Sequence, residues 1–380
     1  MVEKTFLEFF AGIGLMRLGL ERAGWKIRFA NDIDPDKLEM YRAQFSDADE
    51  HFVLGDIHKL PAASLPAASL ATASFPCNDL SLAGSRAGLK GEQSSAYWGF
   101  TRLLEQLGRR RPALVLLENV PGFLTSHDGR DFQAALLKLN SLGYTVDAFM
   151  IDAAWFVPQS RLRLFVVGTL ADKSEIPVLS ESPGFYQSEA RPAALADFIF
   201  AHPEIEWQIR PLPGIPKRAK RLEFVLEDLP ASSPEWWSLE RTDYLLNQMS
   251  PRHRAMAEAM MAATRYSYGT VFRRVRNGRS MAELRTDGVA GCLRTPRGGS
   301  GRQILFKAGR GKCQVRLLSA RECARLMGAD NFVVGVPLNQ ALFGFGDAVC
   351  VPAIEWIGEN YLNPAIAELT GLQQPLRNSA

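Results

Sequence analysis

The chain has 380 residues, 47% hydrophobic and 22% charged, the balance of a soluble globular protein with room for two domains. No apolar run reaches the roughly 18 to 20 residues of a membrane span, and the N-terminal Met1-Val2-Glu3-Lys4-Thr5 has no signal-peptide pattern, so a cytoplasmic location is expected. Net charge is +3, yet residues 252–316 hold 15 Arg and Lys against 3 acidic residues, which leaves the remainder acidic and suggests a polyanionic partner for the basic part.

Residues 5–10 read as a strand that runs into Ala11-Gly12-Ile13-Gly14, after which Leu15, Leu18, Leu20 and Ala23 recur at helical spacing. Strand, glycine turn and helix let a ligand lie against the backbone near a helix N-terminus. A second strand, 26–31, ends in Asp32-Ile33-Asp34, and Asp34-Pro35 reads as an N-cap followed by a first-turn proline. Asp32 stands about 20 positions beyond the glycine turn, where nucleotide-binding α/β folds place the carboxylate that takes ribose hydroxyls. A short apolar stretch, 52–54, leads to Gly55-Asp56-Ile57, another polar group at a strand end. The pentapeptide Pro-Ala-Ala-Ser-Leu then occurs twice, at 61–65 and 66–70, in the manner of a tolerated surface insertion.

Residues 70–75 read as a short buried strand, and the loop formers Pro76-Cys77-Asn78-Asp79-Leu80-Ser81 follow it. A cysteine therefore stands where a strand ends, the edge of an open parallel sheet at which reacting atoms sit. The plain alternative is an ordinary buried thiol. The five cysteines, Cys77, Cys292, Cys313, Cys323 and Cys350, form no C-x-x-C pair and indicate neither a disulfide framework nor a zinc site. Residues 83–96 are rich in Gly, Ser and charge, a composition that suits a lid. After a helix through 103–107, a buried strand at 114–117 ends in Glu118-Asn119-Val120-Pro121-Gly122, a carboxylate that is costly to bury unless paired or protonated.

A helix at 131–142 and a strand at 146–151 lead to Pro158-Gln159-Ser160-Arg161-Leu162-Arg163 and a last buried strand at 164–169. Seven strand-like runs alternating with helices imply a doubly wound, mostly parallel α/β sheet. Arg161 and Arg163 are expected to present both guanidinium groups on one face, able to hold a phosphate or fix an acid. Beyond 169, Pro, Ser, Gly, aromatic and basic residues mix with little periodicity, and a second domain is expected. Its end carries Cys292-Leu293-Arg294-Thr295-Pro296-Arg297-Gly298-Gly299-Ser300-Gly301-Arg302, a loop able to bring amides and guanidinium groups to phosphate. Ser319-Ala320-Arg321-Glu322 is a capping box for a helix over 320–327, and Phe343-Gly344-Phe345-Gly346-Asp347-Ala348-Val349 precedes an apolar helix at 351–361.

Taken in order, Phe10-Ala11-Gly12-Ile13-Gly14, Pro76-Cys77 with Ser81, Glu118-Asn119-Val120, Gln159-x-Arg161-x-Arg163, residues 316–328, and Gly346 with Val349 resemble the DNA cytosine C5-methyltransferases of bacteria and their viruses. The resemblance covers nearly the whole chain outside 170–285, the stretch where that family keeps its target-recognition region. It implies a Rossmann-like S-adenosylmethionine-dependent catalytic domain, residues 1–170 completed by 335–380, and a smaller irregular target-recognition domain, 171–334. It implies S-adenosylmethionine as methyl donor and double-stranded DNA as partner, a monomer that flips one cytosine out of the duplex, and a cognate restriction endonuclease or a phage protective role. No metal is implied.

By the same resemblance Cys77 is the nucleophile that adds to C6 of the base, and Glu118 bonds its N3 edge. Arg161 and Arg163 support base and glutamate, and Asn119 orders the loop. Phe10, Gly12, Ile13 and Gly14 lie near the methionine part of the cofactor, Asp32 with Ile33 at the ribose, Asp56 and Ile57 at the adenine, with Pro76 and Asp347 close by. Ser81, Arg294, Arg297, Gly298, Gly299 and Arg302 are the implied DNA contacts.

The chain departs from the family's usual pattern at several positions. Glu8 and Leu15 replace Asp and Gly, Asp32 replaces Glu, and Asn78-Asp79-Leu80 replaces Gln-x-Phe. Ser94-Ser95 lacks an arginine, Cys292 stands for Thr, and Asp347 for Asn. The alternatives are a weakly active or non-catalytic DNA-binding relative and an RNA cytosine methyltransferase, whose recognition region is usually reduced. A nicotinamide-dependent dehydrogenase explains the glycine turn and Asp32 but neither Pro76-Cys77 nor the basic region.

Overall fold

The computed structural model describes residues 3–76, 96–170, 182–216, 221–276, 278–295, 301–369 and 371. Seven strands build the larger sheet: β1 (Thr5–Phe9), β2 (Lys26–Asp32), β3 (Phe52–Leu54), β4 (Leu70–Ala73), β5 (Leu114–Asn119), β6 (Tyr144–Asp152) and β7 (Leu162–Leu170). They lie in the order β3-β2-β1-β4-β5-β7-β6. The first five are parallel, and β7 runs antiparallel to both β5 and β6. A sheet covered on both faces needs apolar side chains on both, which is why Leu114, Val115, Leu116 and Leu117 form an unbroken apolar run, each no more than 2% exposed.

Successive residues point to opposite faces and so enter two separate cores. Phe6, Leu70, Leu114 and Leu116 face one core, built with the Leu15–Arg22 and Val351–Ile357 helices. Leu7, Phe9, Ala71, Val115 and Leu117 face the other, built with the Ala96–Leu107 and Arg130–Ser141 helices. The helix expected from 103–107 thus begins at Ala96, and the strand expected over 70–75 stops at Ala73.

The C-terminal segment returns to the first core and completes it. Trp25 donates to Asn363 Oδ1 at 3.0 Å, and the Tyr361 hydroxyl donates to Asp147 at 3.0 Å. The helical run Leu338–Leu369 is long and apolar enough to cross a membrane by length and composition, but 72% of its apolar window is buried inside the protein. Residues 343–349, which precede the apolar helix expected at 351–361, themselves belong largely to the Leu338–Asp347 helix. Segments flanking the second unit pack on the larger sheet as well: Leu195, Ile199 and Trp207 enter one core, and Cys323, Leu326 and Met327 the other.

Where little periodicity is legible in sequence, a second sheet forms. Strands β8 (Ser267–Arg276), β9 (Arg279–Arg285), β10 (Ile304–Gly309) and β11 (Lys312–Leu317) pair antiparallel in the order β11-β10-β8-β9. The Pro251–Ala262 helix and its neighbours cover one face, through Leu245, Ala257, Val271, Phe306 and Val315. Arg274, Val275 and Arg276 at the end of β8 are exposed, and this run of solvent-facing residues hides the alternation expected of a half-buried strand.

A buried ion pair ties the second sheet to the Ala320–Leu326 helix, which packs on the larger one. Arg316 of β11 bonds both oxygens of Glu322, at 2.7 and 2.5 Å, with neither side chain more than 1% exposed. Glu322 also accepts from the backbone N–H groups of Ser319 and Glu227, each at 2.8 Å, the first as the reciprocal half of the expected capping box. Removing one partner leaves the other charge buried without its counterion. Glu322→Ala should therefore lower unfolding stability by about 3–5 kcal/mol, while the double change Arg316→Leu with Glu322→Leu should cost less than that single one. Urea unfolding monitored by tryptophan fluorescence checks this, and a single variant as stable as the parent would remove the pair from its structural role.

Candidate active site

Strands β2 and β4 flank β1 on opposite sides, so the connections leaving β1 and β4 diverge and open a crevice at the carboxyl ends of the strands. A cavity of about 620 Å³ occupies it, within the range of small-molecule sites. Its floor is the turn after β1. Phe10 and Gly12 adopt left-handed backbone with φ 59° and 57°, and Gly14 follows at φ 83°. A phenylalanine there is strained by roughly 1–2 kcal/mol, so surrounding contacts must hold it.

Asp32 supplies much of that hold. Its Oδ2 accepts from the Gly12 N–H at 2.8 Å and its Oδ1 from the Asp34 N–H at 3.0 Å. The Ala11 N–H donates to the Asn31 carbonyl at 2.9 Å. Asp32 thus fastens the glycine turn to β2 while its remaining lone pairs border the cavity. Asp56 Oδ1 accepts from the His58 N–H at 2.9 Å, leaving its second oxygen for a ligand. Ile33, 67% exposed, lies beside the cavity as an apolar platform.

The opposite end of the same cavity is acidic and basic together. Glu118, at the end of β5 and 6% exposed, pairs with Arg163 Nε at 3.0 Å and bonds the Ser74 hydroxyl. Burial pushes its pKa up, and Arg163, Arg161 and Ser74 recover only part of that shift. Asn119 donates to the Phe75 carbonyl at 3.2 Å and accepts from the Val120 N–H at 2.8 Å, which ties the end of β5 to the backbone two residues before Cys77.

The two arginines do not act as one pair. Arg161 precedes β7, and its guanidinium donates to the carbonyls of Leu293, Gly346 and Ala348 at 2.9, 3.0 and 2.5 Å. It also meets Cys292 Sγ at 3.3 Å. Arg161 therefore staples the C-terminal segment and the loop at 292–293 to the cavity, and Arg163 alone pairs with Glu118. The backbone explains the split, because Arg161 lies outside the strand whose alternation would have aligned the two. Gln159 reinforces the staple, donating to the Leu326 carbonyl at 2.8 Å and accepting from the Leu293 N–H at 3.0 Å.

Phe10, Gly12, Asp32, Ile33, Asp56, Ile57, Pro76, Glu118, Asn119, Arg161, Arg163 and Asp347 all line this one cavity. Ile13 and Gly14 do not. Ile13 is a core residue at 1% exposure, and a Cβ on Gly14 would stand 2.4 Å from Phe45. Their contribution is to fold the turn. Arg294 is exposed next to Thr295, which lines the cavity, and Arg302 bonds Asn339. Cys77, Ser81, Arg297, Gly298 and Gly299 lie outside the described residues.

Sequence reasoning missed Lys37, whose Nζ pairs with Asp347 at 3.0 Å across the cavity mouth. Burial opposes its charge, but Asp347 and Asp32 raise its pKa above the ordinary lysine value. Asp347, where the family usually has Asn, is thereby neutralised by a residue 310 positions away that no local pattern connects to it. Burial likewise opposes a Cys292 thiolate, yet Arg161, Arg163 and Arg294 outweigh it and hold the thiol below its usual pKa. Glu8 was readable as a charge inside an apolar strand, and the structure puts it on the cavity wall.

Comparison with known proteins agrees with this geometry. The family model of C-5 cytosine-specific DNA methylases matches residues 4–363. The chain is 28% identical over 358 residues to the Type II methyltransferase M.NlaX of Neisseria lactamica, covering 93% of this chain and 94% of that protein. It is 37% identical over 180 residues to M.DsaV of Dactylococcopsis salina, a match that spans 49% of that relative's length. The Dnmt2 methyltransferase of S. pombe shares the fold, with a TM-score of 0.61 at 18% identity over 95% of this chain and 99% of that one. From its first strand to its last helices, the chain belongs to the C-5 cytosine-specific DNA methylase family.

Proposed function

We propose that this protein transfers a methyl group from S-adenosylmethionine to C5 of a cytosine within a specific duplex DNA sequence. The observation that carries the reading is the single cavity joining two chemistries. Carboxylates suited to a nucleoside, Asp32 and Asp56, stand at one end, and a buried carboxyl of raised pKa held by Arg163, Glu118, stands at the other. The donor set fits the cofactor, with acceptors at Asp32 and Asp56 for hydroxyl and amino groups and apolar surface at Phe10 and Ile33. When bound, S-adenosylmethionine supplies an electrophilic methyl group.

The residues of the chain prepare the base to accept it. Cytosine C5 is a poor nucleophile, and addition of the Cys77 thiolate at C6 creates a C6–S bond while the ring's electron pair moves toward N3. Glu118, whose pKa burial raises, is placed to give a proton to N3 and neutralise that charge. Arg163 orients the carboxyl, and Asn119 holds the backbone entering the Cys77 loop. Once C5 carries the methyl group, its proton leaves to solvent, the C6–S bond breaks to release the thiolate, and N3 returns its proton to Glu118, which restores aromaticity. Because C6 is stacked inside a duplex, the base must be flipped, at a cost on the order of a few kcal/mol.

The proposal keeps the division into a catalytic unit, 1–170 with 335–380, and a recognition unit, 171–334, whose flanks pack on the larger sheet. In the recognition unit the arginines of β8 and β9, with Arg294 and Arg302, meet DNA. Relatives named as Type II methyltransferases support a role in a restriction-modification system. The proposal adds a cognate endonuclease acting on the same site, a cytoplasmic location and an enzyme that works as a monomer.

Plasmid from cells producing the protein should show, by bisulfite sequencing, protected cytosines in one recurring context. Cys77→Ala should abolish that protection while S-adenosylmethionine binding stays near normal, and undiminished protection in this variant would defeat the covalent mechanism. Glu118→Gln should slow methyl transfer on the order of 10²- to 10⁴-fold. Since the protonated carboxyl is the active form and its pKa is raised, the parent rate should fall as pH climbs through that pKa, a limb absent from the Gln variant. Single-turnover rates between pH 6 and 9 decide this, and identical profiles for the two proteins would remove Glu118 as the proton donor.

A further inference from the structure

The Glu118 end of the cavity holds two guanidinium groups side by side. Arg161 is 3% exposed and Arg163 has 16% of its side chain exposed, and the charge of Arg163 makes that of Arg161 harder to hold. The carbonyls of Leu293, Gly346 and Ala348 satisfy N–H groups of Arg161 but bring no net negative charge. Asp347 acts on Arg161 from the Leu338–Asp347 helix, yet its carboxylate pairs with Lys37 at 3.0 Å. Asp152, at the end of β6, gives one oxygen to the backbone N–H groups of Arg161 and Ala154. Direct contact with the guanidinium groups comes from two acids, Glu118 and Cys292.

Cys292 sits between the arginines. Its Sγ lies 3.3 Å from Arg161 Nη1, and Arg163, which holds Glu118 at 3.0 Å, also bonds the sulfur. Ser74, Glu118, Arg163, Cys292 and Arg161 thus form one continuous polar chain. Either charge state of the sulfur finds a partner, because the thiol donates to the Leu293 carbonyl at 3.3 Å and the thiolate accepts from Arg161. Arg294, exposed on the same loop, adds a third positive charge. The other described cysteines behave in the opposite way. Burial pushes the thiols of Cys313, Cys323 and Cys350 up, whereas at Cys292 burial is overcome by Arg161, Arg163 and Arg294.

Resting on the proposed role of Glu118, we infer that Cys292 is a positioning residue for the reaction, its thiolate balancing Arg161 and Arg163 while Glu118 carries the proton destined for N3. Two acids on one guanidinium compete for its charge, so they titrate as a pair. With the negative charge on sulfur, the arginines pull less on Glu118, and the carboxyl keeps its proton to higher pH. When Glu118 hands that proton to N3, two anions face the two arginines and the charge of the chain is closed. A neutral residue at 292 removes the competing anion and leaves both arginines to ionise Glu118. Loss of the thiolate therefore moves the alkaline limb of the rate to lower pH.

Two measurements on the full-length protein test this. In the first, ultraviolet thiolate absorbance of the DNA-free protein at pH 7 is compared between the parent and Cys292→Ser, and again between Glu118→Gln and its double variant with Cys292→Ser. The same thiolate difference is expected in both comparisons. A difference seen only where Glu118 is replaced puts the proton on sulfur and overturns the inference, as does no difference in either. In the second, single-turnover methyl transfer is followed from pH 6 to 9. Cys292→Ser should move the alkaline limb to lower pH and slow the reaction several-fold at pH 8, with KM for the cofactor unchanged. Cys292→Asp restores the anion and should restore the limb. A limb that Cys292→Ser leaves in place overturns the inference alone, whereas a parent without the limb overturns the Glu118 reading and this inference with it. Should Cys292→Ser fail to fold, Cys292→Thr, the residue usual in the family, takes its place in both measurements.

Discussion

Everything at the candidate site depends on the guanidinium of Arg161. It is 3% exposed, and it meets acceptors from two parts of the chain that are far apart in sequence: the loop at 292–293, and the carbonyls of Gly346 and Ala348 around the end of the Leu338–Asp347 helix. A buried arginine is tolerated when its donors are met, and carbonyl oxygens meet most of them here. With that geometry in place, Gly346, Asp347 and Val349 become one wall of the cavity, and Thr295 from the second unit reaches its rim. Methyl donor, target base and DNA backbone would thus converge on a point organised by one side chain.

Charge is distributed through the cavity so that its carboxyl groups meet named partners. Glu118 has Arg163, Asp347 has Lys37, and Asp32 has two backbone amides. Asp347 introduces an anion where a neutral amide is usual in the family, and Lys37 removes its cost to the neighbouring ligand site.

The second unit follows a different logic. Its sheet buries one face under helices and leaves the end of β8, Arg274 to Arg276, in solvent, so basic residues stand there without a penalty of burial. That asymmetry suits recognition of a polyanion, where backbone phosphates attract and position the protein before any base is read. The Arg316 and Glu322 pair, together with the backbone bridges between Pro158 and Ala290, fixes this unit against the first. Rigid attachment is what a recognition surface needs if it is to deliver one base to a fixed pocket.

Much of this was legible in the amino-acid sequence, because local rules govern it. Alternating apolar runs and glycine turns determined seven strands and their connecting helices, and placed Asp32, Asp56, Pro76 and Glu118 at strand ends. Those residues face one crevice simply because parallel strands share a carboxyl edge. Strand order, the antiparallel turn of β7, and the four-stranded sheet behind an arginine-rich stretch were not legible, since each depends on pairing between distant segments. The division of labour between Arg161 and Arg163 and the Lys37 and Asp347 pair belong to the same class. Sequence by itself determined which residues stand at the edge of the sheet. Only the tertiary structure decided which of those charges meet a partner, because a counterion is a neighbour in space and its identity is set by how the chain returns on itself.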